Sequence, residues 1–224
     1  SPWLVLEADE FGRSFLHYSP ALAVITNIDR EHLDTYRDLA GVKRAFLQFL
    51  SNTAPGGILV LNRDSAHLVS LKKKIAVLAR RRGLRVIWYS AKNPQAGKIR
   101  RVLRLPGEHN VSNALAAYAV GRVLGISPGQ ILSVIGLFRG SWRRMEYRGT
   151  LQLHTTHLSR GREAALRSYT LHAKVFDDYA HHPTEIRATL KAFREKYPRL
   201  PSAPERGDGG QALSPTRHSH APIR

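Results

Sequence analysis

The stretch Gly57-Ile58-Leu59-Val60-Leu61-Asn62 decides the fold. Its apolar run follows the turn-forming residues Pro55-Gly56 and ends at the polar residues Asn62-Arg63-Asp64. A short apolar run without polar alternation is typical of a strand that is buried on both faces, as in a parallel sheet. We therefore predict a buried strand here.

The segments on either side repeat a pattern of strand followed by helix. Leu22–Ile28 and Arg85–Tyr89 are further apolar runs that predict strands, and Trp3–Leu6 predicts another. Between them, 41–50 and 67–82 carry apolar residues at helical spacing. Strands that alternate with helices in this way predict an α/β fold with a mostly parallel sheet flanked by helices.

The second half of the chain is less regular. The predicted elements are helices at 111–124 and 127–138, a strand near 149–153, a short strand at Val175-Phe176 and a helix at 184–196. Residues 154–173 show little pattern, which indicates a loop or loose hairpin. The Pro- and Gly-rich residues 199–224 show no periodicity and predict a disordered tail.

Composition excludes several classes of protein. The chain has no Cys, which excludes a disulfide scaffold. It has no apolar run of membrane-spanning length, and we expect no membrane partner from the sequence. The formal net charge of +18 raises the possibility of a nucleic-acid-binding module, with the basic segment 72–104 as its candidate surface. Only Trp88 and Tyr89 could stack on bases there, so we interpret the segment mainly as a solvated helix face, and nucleic acid as an improbable partner.

Polar clusters follow the first two predicted strands. Glu7 lies in the first cluster and His32 in the second, and the carboxyl ends of parallel strands share one edge of a sheet. Together these two residues would offer an oxygen and an imidazole to a divalent cation such as Mg²⁺. The alternative is a set of ordinary solvated carboxylates with His32 next to a helix cap.

Three more clusters lie further along the chain. Pro106-Gly107 precedes a helix whose first N–H groups could donate hydrogen bonds to an anion or a base, with Asn110 able to pair with adenine. A simple turn is the alternative. Arg143-Arg144 could clamp a phosphate or be solvated. Asp177-Asp178-Tyr179-Ala180-His181-His182-Pro183 indicates a polar site, unless His181 and His182 only cap and pack.

In their order, these clusters resemble the Mur ligases. The matching motifs are Glu7-Ala8-Asp9-Glu10, Ile25-Thr26-Asn27-Ile28 through His32-Leu33-Asp34, Leu105-Pro106-Gly107-Glu108-His109-Asn110 with Asn113, Arg143-Arg144-Met145-Glu146, and Asp177 through Glu185. The doubled His and the Glu-Ala-Asp-Glu start point to the branch that joins L-alanine to UDP-N-acetylmuramate. The sister branch, which attaches recycled tripeptide, is the alternative within the family.

The resemblance implies a domain organisation. Residues 1–150 would be most of the central ATPase domain, and 151–173 a loop or insertion. Residues 174–198 would be the first strand and helix of a Rossmann-like C-terminal domain, and 199–224 an unrelated tail resembling the product of a shifted reading frame.

The resemblance also implies an activity and site residues. The family uses ATP and Mg²⁺ to activate the carboxylate of UDP-N-acetylmuramate, which L-alanine then attacks, in cytoplasmic peptidoglycan precursor synthesis. By motif position, Glu7 and His32 would be magnesium ligands. The remaining assignments are nucleotide contacts at His109, Asn110, Asn113, Arg144 and Asp178, catalytic residues Arg144 and His182, and amino-acid substrate contacts at His181 and His182.

Two departures from the family pattern qualify this expectation. The family's phosphate loop should precede Glu7, but no Gly-x-x-x-x-Gly-Lys-Ser/Thr pattern occurs in the 224 residues. The chain also opens at Ser1-Pro2-Trp3 without Met, as though entered within a fold. We therefore expect the polypeptide to be an incomplete ligase that is inactive alone.

Overall fold

Three parallel strands form the centre of the protein. The computed structural model describes residues 3–158 and 166–198. Its strands β1 (Leu22–Ile25), β2 (Ile58–Asn62) and β3 (Arg85–Tyr89) pair in the order β1-β2-β3. The central strand is the one predicted from its apolar run, and Leu59, Val60 and Leu61 are each 0% exposed.

Helices cover both faces of this sheet. The described helices are α1 (Leu33–Tyr36), α2 (Leu39–Ser51), α3 (Ala66–Val69), α4 (Lys72–Arg82), α5 (Pro94–Val102), α6 (Glu108–Val123), α7 (Pro128–Leu137) and α8 (Pro183–Lys196), preceded by a 3₁₀ segment at Phe11–His17. None of them is long and apolar enough to cross a membrane. The predicted α/β fold is confirmed.

The alternation of side chains along β2 divides the core in two. Leu59 and Leu61 lie in a cluster with residues of α2 and α4, whereas Val60 lies in a second cluster with residues of α5, α6 and α7. Successive side chains of a strand point to opposite faces, so one short strand supplies both cores. Burying those apolar surfaces stabilises the sheet by about 25 cal/mol per Å².

Local signals set several helix ends. Asp38 caps α2 by accepting a hydrogen bond from the Gly41 N–H at 2.6 Å. Ser127 and Gln130 form a reciprocal capping box at α7. Helix α4 ends at Gly83, whose φ of 66° is the left-handed conformation that glycine adopts readily.

The first half of the chain differs from prediction in three places. Trp3–Leu6 is not a strand: Leu4 and Val5 are 81% and 89% exposed, because no strand among the described residues pairs with this run. The predicted helix at 67–82 is two helices, α3 and α4. Helix α5, which begins at Pro94, was not predicted.

Residues 154–173, for which the sequence left a loop or a loose hairpin open, form part of a hairpin where the structure describes them. Strands β4 (Glu146–Leu158) and β5 (Leu166–Asp177) pair antiparallel, with an irregularity between Tyr147 and Gly149. The predicted short strand at Val175-Phe176 is the end of β5. Residues 159–165 and the tail at 199–224 lie outside the described residues, and the domain boundaries stay predictions.

Aromatic contacts join α8 to this hairpin. Phe176 of β5 packs edge-on against Phe193 at 4.8 Å between ring centroids and also contacts Tyr147 and Tyr197. Such pairs contribute about 0.5–1.5 kcal/mol each beyond area burial. They hold α8 in a defined position, which matters because its first turn reaches the candidate site.

Candidate functional site

A cavity of about 750 Å³ opens at the carboxyl ends of β2 and β3. Its polar lining comes from the loops after these strands, from the last turn of α5 and from the beginning of α6. The lining residues include Arg63, Asp64, Lys92, Arg100, His109 and Ser112. The carboxyl edge of a parallel sheet is the usual ligand crevice of open α/β folds. Its three cations, Arg63, Lys92 and Arg100, outnumber its two carboxylates, Asp64 and Glu108, which favours an anionic ligand.

Two polar residues at the end of β2 fix the shape of this edge. Asp64 accepts hydrogen bonds from the Ser90 hydroxyl at 2.7 Å and from the Ala91 N–H at 2.6 Å, which ties the loop after β2 to the loop after β3. Asn62 donates to the Thr26 carbonyl at 2.8 Å and to the Ser112 hydroxyl at 3.2 Å. Sequence analysis did not single out these residues for the site, although polar residues closing a buried strand were a usable signal.

The turn before α6 is shaped by Gly107. Its φ is 95°, and a Cβ at this position would lie 2.8 Å from the Ala192 Cβ of α8 and 2.8 Å from Cε1 of His109. Asn110 donates from Nδ2 to the Pro106 carbonyl at 2.7 Å and so closes the turn. Of the predicted nucleotide contacts on α6, His109 lines the cavity, whereas one amide N–H of Asn110 is used by the turn and Asn113 is exposed.

His109 lies where α6, α8 and the turn at 143–146 converge. Burial lowers the pKa of His109, and the nearby charge of Asp178 opposes this shift while that of Arg144 adds to it. Three of the predicted site residues are therefore close enough to interact electrostatically. The imidazole is neutral at pH 7, so one ring nitrogen is available as a hydrogen-bond acceptor.

The lowered pKa of His109 predicts a pH dependence of stability. Because the folded-state pKa lies below the ordinary value of about 6.5, the unfolded chain binds more protons at mildly acidic pH. The contribution is present above that value and lost as pH falls through the folded-state pKa. We expect His109→Asn to flatten the rise in unfolding free energy between about pH 5 and 7, measured by urea denaturation. Parallel profiles for the two proteins would contradict this.

A second cluster, suited to a cation, lies beside the loop after β1. One ligand atom from each of Glu10, Glu31 and His32 lies within 4.8 Å of the others. His32 Nε2 is 3.8 Å from Glu10 Oε1, and its ring contacts Phe11 edge-on at 5.3 Å. The predicted ligand His32 is thus in a three-member cluster, while Glu7 is exposed and is not a member of it. Glu10 and Glu31 were not among the predicted ligands.

The carboxylates of this cluster repel one another. Burial raises the pKa of Glu31, and the charges of Glu10 and Glu185 add to the increase, while His182 and His32 oppose it. His32 itself has a φ of 51°, a conformation that is uncommon for residues other than glycine. Residues held in such conformations occur preferentially at functional sites. A bound cation would relieve the repulsion.

The first turn of α8 contacts this cluster through His182. Its Nδ1 lies 3.2 Å from Glu31 Oε1 and 3.4 Å from the Thr184 nitrogen. Without a proton, Nδ1 accepts from the Thr184 N–H and caps α8; with a proton, it donates to Glu31, so the two contacts are alternatives. Burial alone would raise the pKa of Asp29, but hydrogen bonds from the Arg30 N–H and the Thr184 side chain, with the charge of His182, lower it. His181 instead points its Nδ1 to the Tyr179 carbonyl at 3.1 Å and is exposed.

Asp178 and Arg144 join the turn at 143–146 to α8. Asp178 accepts from the Met145 N–H at 2.8 Å and from the Ala180 N–H at 2.9 Å. Arg144 Nη2 lies 3.5 Å from Glu185 Oε1. Neither predicted residue lines the 750 Å³ cavity. In this arrangement Asp178 and Arg144 connect the beginning of α8 to the turn at 143–146.

Known proteins match most of this chain. The protein named UDP-N-acetylmuramate--L-alanine ligase from Renibacterium salmoninarum is 39% identical over 210 residues, which are 85% of this chain and 40% of that protein. Its namesake from Aquifex aeolicus is 37% identical over 212 residues, 87% of this chain and 42% of that protein. The chain therefore spans about 40% of the length of these curated relatives.

Solved structures with this fold include MurF from Acinetobacter baumannii, with a TM-score of 0.55 and 19% identity over 80% of this chain and 38% of that one. An L. casei FPGS variant has a TM-score of 0.51 and 13% identity over 82% of this chain and 44% of that one. The sequence pattern of the Mur ligase middle domain matches residues 3–121. Because this match covers more than half of the 224 residues, the chain belongs to the Mur ligase family.

Proposed function

We propose that the chain is the ATP-binding part, with the beginning of the third domain, of an ATP-dependent UDP-N-acetylmuramate–L-alanine ligase. The observation that carries this proposal is the 39% identity to a relative of that name over 85% of the chain. The relative is a longer protein, so the whole reaction is proposed for a protein that includes this chain. ATP and UDP-linked sugars are cytoplasmic substrates, which places the proposed activity there.

The 750 Å³ cavity is the proposed nucleotide site. Arg63 and Lys92 supply positive charge at its lining, and the N-terminus of α6 adds the positive end of a helix dipole near His109. Arg100 is partly neutralised by Glu108, to which it donates from Nη2 at 2.6 Å. Asn110 and Asn113 stay proposed base contacts, and Arg144 and Asp178 stay proposed contacts to the phosphates and ribose.

The donor set of the second cluster fits a divalent cation. One ligand atom from each of two carboxylates and an imidazole lies within 4.8 Å of the others. This spacing is close to the distance of roughly 4.2 Å between opposite ligands of Mg²⁺. Glu10, Glu31 and His32 would hold it, with Glu7 as the further ligand predicted from the motif. When bound, Mg²⁺ would neutralise charge on the transferring phosphoryl group.

The proposed reaction forms an amide in two steps. A carboxylate oxygen of UDP-N-acetylmuramate attacks the terminal phosphorus of ATP, which releases ADP and leaves an acyl phosphate. The amine of L-alanine then attacks the acyl carbon and expels phosphate. In this scheme Arg144 steadies phosphate charge. His182 takes up the proton that the amine loses, and His181 contacts the amino acid.

A chimeric enzyme tests this proposal. Residues 3–198 would replace the matching segment of the Renibacterium salmoninarum relative, which supplies the remaining length. We expect UDP-N-acetylmuramate- and L-alanine-dependent release of phosphate from ATP, because the transplanted residues form the proposed nucleotide and cation sites.

The 224-residue chain alone is the matched control and should release no phosphate under the same conditions. A folded chimera without L-alanine-dependent turnover would contradict the proposal. Turnover with L-Ala-γ-D-Glu-diaminopimelate in place of L-alanine would assign the chain to the sister branch.

A further inference from the structure

Helix α4 carries a strongly basic outer face. Its sequence is Lys72-Lys73-Lys74-Ile75-Ala76-Val77-Leu78-Ala79-Arg80-Arg81-Arg82, and no acidic residue occurs between Asp64 and Glu108. We call the residues Lys73, Lys74, Val77, Arg80 and Arg81 the α4 basic face; all five are exposed. At 3.6 residues per turn they fall within about 120° of one another around the helix axis.

The opposite side of α4 anchors the helix in the core. Ile75 is 1% exposed and Ala79 is 7% exposed, and both belong to the cluster that contains Leu59 and Leu61. Arg82 donates to the Thr53 carbonyl at 3.0 Å. The α4 basic face is therefore presented outward from a fixed helix, without the ordering cost of a flexible basic segment.

The charges of this face are not balanced within the described residues. No carboxylate among residues 3–158 and 166–198 forms an ion pair with Lys73, Lys74, Arg80 or Arg81. Val77, at the centre of the face, is 54% exposed. The result is a convex surface on which four cations surround the exposed apolar side chain of Val77.

The shape and composition of this face select among polyanions. Single-stranded nucleic acid is bound by basic grooves with aromatic stacking platforms. The α4 basic face contains no aromatic residue; Tyr89 of β3 is buried and Trp88 packs against the core. Anionic headgroups of a bilayer need only a surface of accessible cations, and clusters of four or more Lys and Arg on a helix are typical of that contact.

We propose that the α4 basic face is a docking surface for an anionic phospholipid bilayer. The C-terminal end of α4 lies beside the start of β2, where the Gly56 N–H donates to the Arg82 carbonyl at 3.1 Å. The 750 Å³ cavity lies at the other end of β2. A chain held on a membrane through this surface keeps its ligand edge open to solution.

Vesicle co-sedimentation of the 224-residue chain tests the proposal. The probes are vesicles of phosphatidylcholine alone and of phosphatidylcholine with phosphatidylglycerol in equal parts. We expect binding only to the second, weakening at high salt as screening shortens the range of the charges. A variant with all four cations of the face changed to Gln should bind at least about 100-fold more weakly.

The matched control removes the same number of exposed positive charges elsewhere. Its substitutions are Arg139→Gln, Arg187→Gln, Lys191→Gln and Arg194→Gln. Circular dichroism verifies that both variants fold. Full vesicle binding by this control, with loss in the α4 variant, supports the proposal. Equal losses in the two variants, or α4-dependent binding to a DNA duplex with none to vesicles, would overturn it.

Discussion

Gly107→Val is expected to destabilise the protein by about 2–6 kcal/mol. A non-glycine residue at positive φ costs roughly 1–3 kcal/mol, and overpacking adds roughly 1–3 kcal/mol. The φ of Gly107 is 95°, and any Cβ there would meet Ala192 Cβ and His109 Cε1 at 2.8 Å. Ala192 is buried on α8 and cannot yield without moving the helix. Because domains are stable by only about 5–15 kcal/mol, this is a large loss.

Urea denaturation measures the loss, and amide hydrogen exchange of residues 183–196 shows whether α8 detaches from α6. Gly97→Ala is the matched control. Gly97 lies within α5, and a Cβ there would meet nothing within 4 Å. We expect the control to stabilise the protein by up to about 1 kcal/mol, the propensity difference between Ala and Gly in a helix. Equal stability of the two variants would show that α8 does not pack on Gly107.

His32→Ala is expected to lower kcat/KM of the chimeric ligase by at least about 100-fold and to raise the Mg²⁺ concentration that supports half-maximal turnover. His32 is the residue that both the motif and the three-member cluster place at the cation. Losing its imidazole leaves Glu10 and Glu31 facing each other with one ligand fewer. The measurement is initial rate against Mg²⁺ concentration.

The same assay distinguishes the carboxylates. Glu10→Gln and Glu31→Gln should shift the Mg²⁺ requirement if the cluster seen in the structure holds the cation, and Glu7→Gln should do so if the motif assignment is right. Glu195→Gln makes the same chemical change on an exposed residue of α8 and should leave the requirement unchanged. If His32→Ala leaves the Mg²⁺ concentration for half-maximal turnover unchanged, the cation does not bind at this cluster.

Much of the sheet could be predicted because its strands are short and chemically simple. The run Ile58–Leu61 is apolar without interruption, and burial on both faces of a parallel sheet is the arrangement that hides it from water. The start of α7 was equally local, since the capping residues Ser127 and Gln130 lie three positions apart. Where pairing partners matter, local pattern was not sufficient. The apolar run Trp3–Leu6 was predicted as a strand but pairs with no described strand, and the weakly patterned residues 154–173 left a loop and a hairpin open.

The candidate site was less predictable because its contacts join distant parts of the chain. His32 stands out from its motif and Glu31 directly precedes it, but Glu10 comes from a different loop, which the Tyr36 hydroxyl holds by donating to the Glu10 carbonyl. Asn110 has the right chemistry for adenine, but its amide is used by the Pro106 carbonyl in the same turn. Residue type states which bonds a side chain can make; the fold determines which of them form.

By itself, the sequence determined the α/β class, the three central strands and the family, because short apolar runs and ordered motifs consist of neighbouring residues. Only the tertiary structure decided which carboxylates accompany His32, that His182 meets Glu31 at 3.2 Å, and that Gly107 must lack a side chain to admit α8. The contact between His182 and Glu31 joins segments more than a hundred residues apart, and the one at Gly107 depends on the close approach of α8. The cluster around His32 depends on Glu10, which lies in a different loop. Packing of the whole core sets such distances, and that packing depends on residues from many segments of the chain.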